Sequence, residues 1–246
     1  MDLLLRSRTG APRAGTWDYT SDTAAALLGK SVLVRETSFN IPAEHGDKPA
    51  YHILAESIAH DDARNAVIAA DIVEAAVDNR RILILADRTD QVLDLQRRVA
   101  EELQRMACPA QHFKLDSQMG SKARREAHAA IAAACQGAQG VCIFATGSLI
   151  GEGFDLPALD TLVLASPISF KGRLVQYAGR LHRASEGKAD VRIHDYLDAS
   201  SPVMLKMYRK RRKVYETMGY RVKETAPKGA GVQCTFIDCI SDPTSA

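Results

Sequence analysis

Apolar and polar positions change period several times along the chain, and each change predicts an element. Val32-Leu33-Val34, between Ser31 and Arg35, is a short β-branched run that predicts a brief strand, and residues 40–50, with Pro42, Gly46, Asp47 and Pro49, predict a loop. From Asp61 the period becomes helical: Ala66, Ala70, Val73 and Val77 fall on one stripe, with Ala69, Ile72 and Ala76 beside it, up to about Asn79. Arg81-Ile-Leu-Ile-Leu-Ala86 is continuously apolar, as a strand covered on both faces should be. An amphipathic helix follows from Asp87 to Met106, with Asp87 or Thr89 expected as its cap. His112 to Leu115 predicts a strand, residues 117–121 a turn, and Lys122 to Cys135 an Ala-rich helix. Val141 to Ala145 and Thr161 to Ala165 predict two more strands, followed by a helix through Gln176 and Arg183. Val191 to Tyr196 predicts a last strand, and Pro202 to Met218 a helix.

Strands alternating with helices predict an α/β fold with a mainly parallel sheet and right-handed crossovers. The main domain is expected over residues 31–220, with a lead-in at 1–30 and a tail at 221–246, where Cys234 to Ile240 is apolar enough to pair as an edge strand. With 246 residues, 46% of them hydrophobic, the chain is long enough for a sizeable core.

Composition narrows the function classes only a little. The net charge of +2 is too mild to announce a nucleic-acid binder, so local patches must carry any such claim. The five cysteines form no C-x-x-C pair, and an odd number suits a reducing cytoplasm, so a cytoplasmic location is expected. The run Leu3 to Leu5 is too short for a signal peptide, and no stretch of about 18 apolar residues occurs that would span a membrane. The helix at 202–218 carries Lys206, Arg209, Lys210, Arg211, Arg212 and Lys213, which reads first as a solvated face.

The candidate chemistry gathers between Val141 and Asp195. The carboxyl ends of parallel strands are where open α/β sheets collect ligands, and here the strand at 141–145 ends in the turn Thr146-Gly147-Ser148, with the glycine-carboxylate cluster Gly151-Glu152-Gly153-Phe154-Asp155 after it and before the strand at 161–165. Arg180 and Arg183 are three apart and so should share a helix face, with Gln176 one turn earlier. Two planar guanidiniums aimed at one spot suit a phosphoryl group in transfer. Gly179, inside that helix, is expected to have a packing or close-approach reason, since glycine there costs about 1 kcal/mol relative to alanine.

These residues resemble a known family. Gln176-Tyr-Ala-Gly179-Arg180-Leu-His-Arg183 is similar to motif VI of superfamily 2 helicases, and Ala145-Thr146-Gly147 with Glu152-Gly153-Phe154-Asp155 resembles motif V. The strand at 81–86 and its turn resemble motif IV. The wording is nearest to DEAD/DEAH-type helicases of bacteria and phages and to the motor subunits of type III restriction enzymes. The sequence departs from the DEAD-box form in having Gln176 and Glu152 where that branch has His and Arg.

The resemblance implies the second RecA-like domain of a motor. Arg180 and Arg183 match the arginine fingers, and Gln176 lies near the same phosphates. Gly153, Asp155 and Gly179 match positions that meet the nucleotide. Thr146 and Gly147 match contacts to a nucleic-acid backbone, with Ser117 and Gly120 at an earlier strand end in the same role.

There is no G-x-x-x-x-G-K-[ST] loop and no D-E-x-[DH] quartet in the chain; the nearest triplet, Gly29-Lys30-Ser31, has Ala24 where the first glycine belongs. ATP and Mg2+ are therefore expected to be held mainly by a partner, an N-terminal RecA-like domain carrying the phosphate loop, and no metal site is expected in this chain. The other expected partner is single- or double-stranded nucleic acid, DNA in preference to RNA. The function implied is an ATP-dependent helicase or translocase acting as part of a larger protein. The alternatives are a non-catalytic nucleic-acid-binding or regulatory module, or another α/β enzyme. The last would need a glycine-rich turn after the strand at 81–86, where Asp87-Arg88-Thr89-Asp90 has none.

Overall fold

The computed structural model describes residues 29–42, 49–115, 118–147, 156–167, 171–183, 185 and 188–225. The lead-in before Gly29, Ser117, Ser148, the cluster from Gly151 to Asp155 with Glu152 and Gly153, and the stretch 226–246 with its apolar Cys234 to Ile240 lie outside the described residues.

The described residues form seven strands: β1 (Gly29–Glu36), β2 (Arg81–Ala86), β3 (Gln111–Leu115), β4 (Val141–Thr146), β5 (Thr161–Leu164), β6 (Asp190–Leu197) and β7 (Arg221–Thr225). They also form six helices, α1 (Tyr51–Ala59), α2 (Asp62–Val77), α3 (Thr89–Arg105), α4 (Ser121–Gln136), α5 (Lys171–Leu181) and α6 (Pro202–Thr217). The strands form one sheet in the order β3-β4-β2-β5-β6-β1-β7, and every pairing is parallel.

Alternation along the buried strands sorts side chains to two faces. Leu83, Leu85, Val141, Ile143 and Ala145 point to the side covered by α4, α5 and α6, where Ile131, Tyr177, Ala178 and Tyr215 are buried with them. Ile82, Ile84, Cys142 and Phe144 point to the side covered by α2 and α3, against Ile68, Ile72, Leu95 and Val99. Both faces of β2 and β4 are thus covered, which is why those strands are apolar throughout. Cys142 is part of this core, and burial pushes its thiol up to about 12, so it is packing material rather than a nucleophile. Gly140 precedes β4 because a Cβ there would lie 2.3 Å from the carbonyl oxygen of Ala76 at the end of α2.

Several expectations need correction. β1 is eight residues long rather than a brief run, and begins at Gly29, inside the expected lead-in. The loop reading stands where 40–42 and 49–50 are described, but the helix after it, α1, is not among the expected elements; its Leu54 and Ile58 pack on Phe39, Met204 and Met207. Neither Asp87 nor Thr89 caps α3: Arg88 occupies the cap position without a side-chain bond, and the Asp90 carboxylate accepts from the Gln91 amide at 2.8 Å. β7 continues the sheet beyond the expected boundary at 220 and pairs with β1. The basic helix α6 is not simply a solvated face, because Arg211 is buried on Asp195.

Candidate active and nucleic-acid-binding face

The carboxyl ends of β4, β2 and β5 lie side by side and carry the predicted chemistry. Thr146 closes β4, and the Gly147 amide donates to the Ala86 carbonyl at 3.2 Å, so the chain turns directly over the end of β2. The Tyr177 hydroxyl, from α5, donates to the Gly147 carbonyl at 2.7 Å. A Cβ on Gly147 would lie 3.2 Å from that hydroxyl and 3.7 Å from Asp87 Oδ1, which explains the glycine: backbone, aromatic and carboxylate converge on it. The motif-VI-like helix is in this way bonded to the turn after β4.

Along α5, Leu174, Tyr177, Ala178 and Leu181 are buried in the core, while Arg173 and Gln176 are exposed and Arg180 is half-buried. Positions three and seven apart share a face, so the row presented to solvent is Arg173, Gln176 and Arg180. This alters the expected pairing. α5 ends at Leu181, so Arg183 is exposed two residues past the helix and does not continue its face. Arg180 in the last turn also meets the negative end of the helix dipole favourably. Thr146, Arg180 and Arg183 are all engaged in polar contacts. Gly179 is not crowded within the domain, since a Cβ there would meet nothing within 4 Å; the expected close approach is absent among the described residues. Gly120 is exposed, at the cap of α4 beyond the end of β3, one strand over from Thr146. Ser117, Gly153 and Asp155 lie outside the described residues.

The segment after α5 is pinned by Lys188, whose ammonium donates to the carbonyls of Arg183 and Pro157, both at 3.0 Å. One side chain thereby ties the end of the motif-VI-like run to the loop that follows the motif-V-like cluster. Burial, and less strongly Arg80, pull its pKa down to about 8 against the opposing pull of Asp160. His182 stacks on Tyr220 with ring centroids 5.5 Å apart and shares a 2.9 Å hydrogen bond with its hydroxyl. Burial, with Lys30 and Lys188 adding to it, holds the imidazole down at about 4.

Behind the rim runs a buried polar chain. The Asp87 amide donates to Ser166 Oγ at 2.9 Å, Ser166 Oγ donates to Gln91 Oε1 at 2.9 Å, and Gln91 Nε2 donates to Asn65 Oδ1 at 3.0 Å. Asp87 also accepts from Tyr51. Sequence reading missed Tyr51, Asp87, Arg173 and Lys188. Only Arg173 carried a signal, at helical spacing before Gln176 and Arg180.

Among the described residues no three His, Cys, Asp or Glu side chains gather as a metal site, and no helix is long and apolar enough to cross a membrane.

Comparison with known proteins bears on the whole face. The chain is 36% identical over 87 residues to uncharacterized protein 108L of Invertebrate iridescent virus 3, covering 35% of this chain and 78% of that protein. In structure it is similar to T4 UvsW, with a TM-score of 0.61 at 17% identity, over 84% of this chain and 42% of UvsW. It thus spans less than half the length of the UvsW chain. Domain 2 of the DEAD-box helicase Mss116p, bound to an RNA duplex, matches at a TM-score of 0.47 and 15% identity, over 82% of this chain and 66% of that one. The helicase conserved C-terminal domain model matches residues 64–185, which run from the start of α2 past the end of α5. The chain belongs to that family: it carries the helicase C-terminal domain, RecA-like in fold, to which the motifs between Val141 and Arg183 pointed.

Proposed function

We propose that this domain is the second motor domain of an ATP-dependent superfamily 2 nucleic-acid helicase or translocase. The observation that carries the reading is the row Arg173, Gln176 and Arg180, presented outward by a helix whose opposite face is bonded to the end of β4. In a parallel α/β sheet that edge is the ligand-collecting one. The partner domain holds ATP and magnesium, and ATP supplies the γ-phosphoryl group whose charge develops on transfer. The groups on this side fit the phosphates, since they are guanidiniums. Arg180 is the better-placed finger, with its backbone fixed in the last turn of α5. Arg183 depends on the Lys188 strap for the position of its backbone. Thr146 and the Gly147 turn take the strand through backbone contacts that fix position without reading sequence.

The test is steady-state ATPase of a motor in which this domain stands beside its phosphate-loop domain, with and without single-stranded nucleic acid. Arg180→Ala should leave ATP binding intact and slow hydrolysis by about two orders of magnitude or more, because a finger acts on the transition state. Arg180→Lys should recover little, since a point charge does not reproduce the planar fork. Thr146→Ala should weaken stimulation by the strand instead. Turnover within a few-fold of wild type for both Arg180→Ala and Arg183→Ala would return the domain to the binding-module reading.

A further inference from the structure

Tyr51 is an aromatic residue that helix α1 holds out over the strand ends. Its side chain is 47% exposed, and it is the aromatic among the exposed large apolar side chains of the described residues. The residue is nonetheless fixed at both ends. Its hydroxyl donates to Asp87 Oδ2 just past β2, with the Pro167 carbonyl a longer second acceptor at 3.4 Å. Its helix is anchored through Leu54 and Ile58 on Phe39, Met204 and Met207. A tethered hydroxyl leaves the ring few rotamers to lose, so a flat apolar ligand would find the surface already ordered.

The neighbours define which flat ligand. Gly147 and Tyr177 lie on the other side of Asp87, and the exposed guanidinium of Arg173 is within electrostatic reach of both Tyr51 and Tyr177. An aromatic face with an arginine in electrostatic reach, at the edge of a turn read as a backbone contact, is a combination that suits single strands: bases stack while cations meet phosphates. We propose that Tyr51 is a stacking platform for an unpaired nucleobase of the strand whose backbone crosses Thr146 and Gly147. The proposal rests on the reading of this edge as a nucleic-acid path and adds a residue, from a helix outside the matched family region, that would contact bases rather than phosphates.

The test uses the full chain, wild type and variant, with a fluorescent oligothymidine, an abasic oligomer of equal length, and ATP as separate probes, at several salt concentrations. Tyr51→Ala should weaken the oligothymidine by about five- to a hundredfold, the range of one lost base stack. The salt slope should be unchanged, because no phosphate contact is removed. The abasic oligomer should bind wild type and Tyr51→Ala equally. Tyr51→Phe, which keeps the ring and loses the tether, should stay within a few-fold of wild type. Equal affinity of wild type and Tyr51→Ala for oligothymidine overturns the platform, and so does an equal loss for both oligomers, which would mark a structural effect. Loss of ATP affinity with oligomer binding intact assigns the base to a nucleotide and overturns it as well. If wild type binds neither oligomer, the nucleic-acid reading of the whole edge fails, and this proposal with it.

Discussion

The two arginine-rich regions of this domain use the same residue type in opposite ways. On α6, Arg211 is 3% exposed and donates to both oxygens of Asp195, at 2.8 and 2.9 Å, while the Tyr215 hydroxyl donates to the same carboxylate at 2.8 Å. Its neighbour Arg212 faces water and pairs with Glu216 and Glu224. On α5 the order is reversed: the apolar side chains take the inner face, and Arg173, exposed, and Arg180, half-buried, lie on the outer one. The Arg211 guanidinium is a strut, whereas those of α5 are presented groups. The difference teaches that a basic helix cannot be assigned a role by its count of charges. The decisive question is whether a buried carboxylate waits opposite.

The sharpest way to break this contrast is to remove one arginine from each region. Arg211→Ala leaves Asp195 buried without its partner and should lower unfolding free energy by about 3–5 kcal/mol in urea or guanidinium titration. Arg180→Ala should change it by less than about 1 kcal/mol. Equal losses would mean that both are struts. Replacing Arg211 and Asp195 together by Met and Leu should recover most of the stability, because a well-packed apolar pair can match a buried ion pair.

Acid should strain the same interior. His182 and His194 are each held down at about 4, chiefly by burial. Their folded pKa values lie below the unfolded ones, so the unfolded chain binds more protons between about 4 and 6.5, and their contribution is complete above that window and lost as pH falls through it. Asp71, raised to about 6 by burial, works in the opposite sense, since ionising it in place is unfavourable. Urea midpoints from pH 7 to 4.5 should therefore fall, and His182→Asn should flatten part of the fall. A midpoint that rises on acidification would contradict the assignment.

Two glycines sharpen the comparison with smaller effects. Gly147→Ala pushes a methyl against the Tyr177 hydroxyl and should destabilise by about 1 kcal/mol while weakening strand binding. Gly179→Ala meets open space in a helix, so it should stabilise the domain by up to about 1 kcal/mol. If it also slows ATP hydrolysis in the assembled motor, the glycine serves the approach of something outside this domain. Thermal melts together with ATPase assays separate the two effects.

The fold was legible where burial dictates sequence. β2, β4 and β5 are covered on both sides and apolar without interruption, and α2 announces itself through Asp61, whose carboxylate accepts from the Arg64 amide at 2.7 Å. Elements at the margin left little trace. α1 starts at Tyr51 behind Ala50, which gives it no side-chain cap, and β7, Arg-Val-Lys-Glu-Thr, is mostly exposed, so neither carries a clean period. Around the candidate site, the strand-end position of Thr146 and Gly147 and the helical position of Arg180 were readable from motif and spacing. Arg183 was misplaced because periodicity does not mark where a helix stops. Tyr51 and Lys188 were invisible because their partners, Asp87 and the carbonyls of Pro157 and Arg183, are neighbours only through the tertiary fold.

The position of β1 has a consequence for how the domain comes into being. Its Gly29 pairs with Asp190 and its Ser31 with Arg221, so the earliest of the described strands to be synthesised is flanked by the two latest of them. The block β2 to β5 pairs within itself and can assemble while synthesis continues, but β1 stays unpaired until β6 emerges and keeps one edge open until β7 does. Such long-range closure is slow and leaves a sticky edge open meanwhile. A ribosome stalled after α5 and before β6 should therefore hold a folded half-sheet and an unpaired β1, open to capture by a chaperone or by another nascent copy.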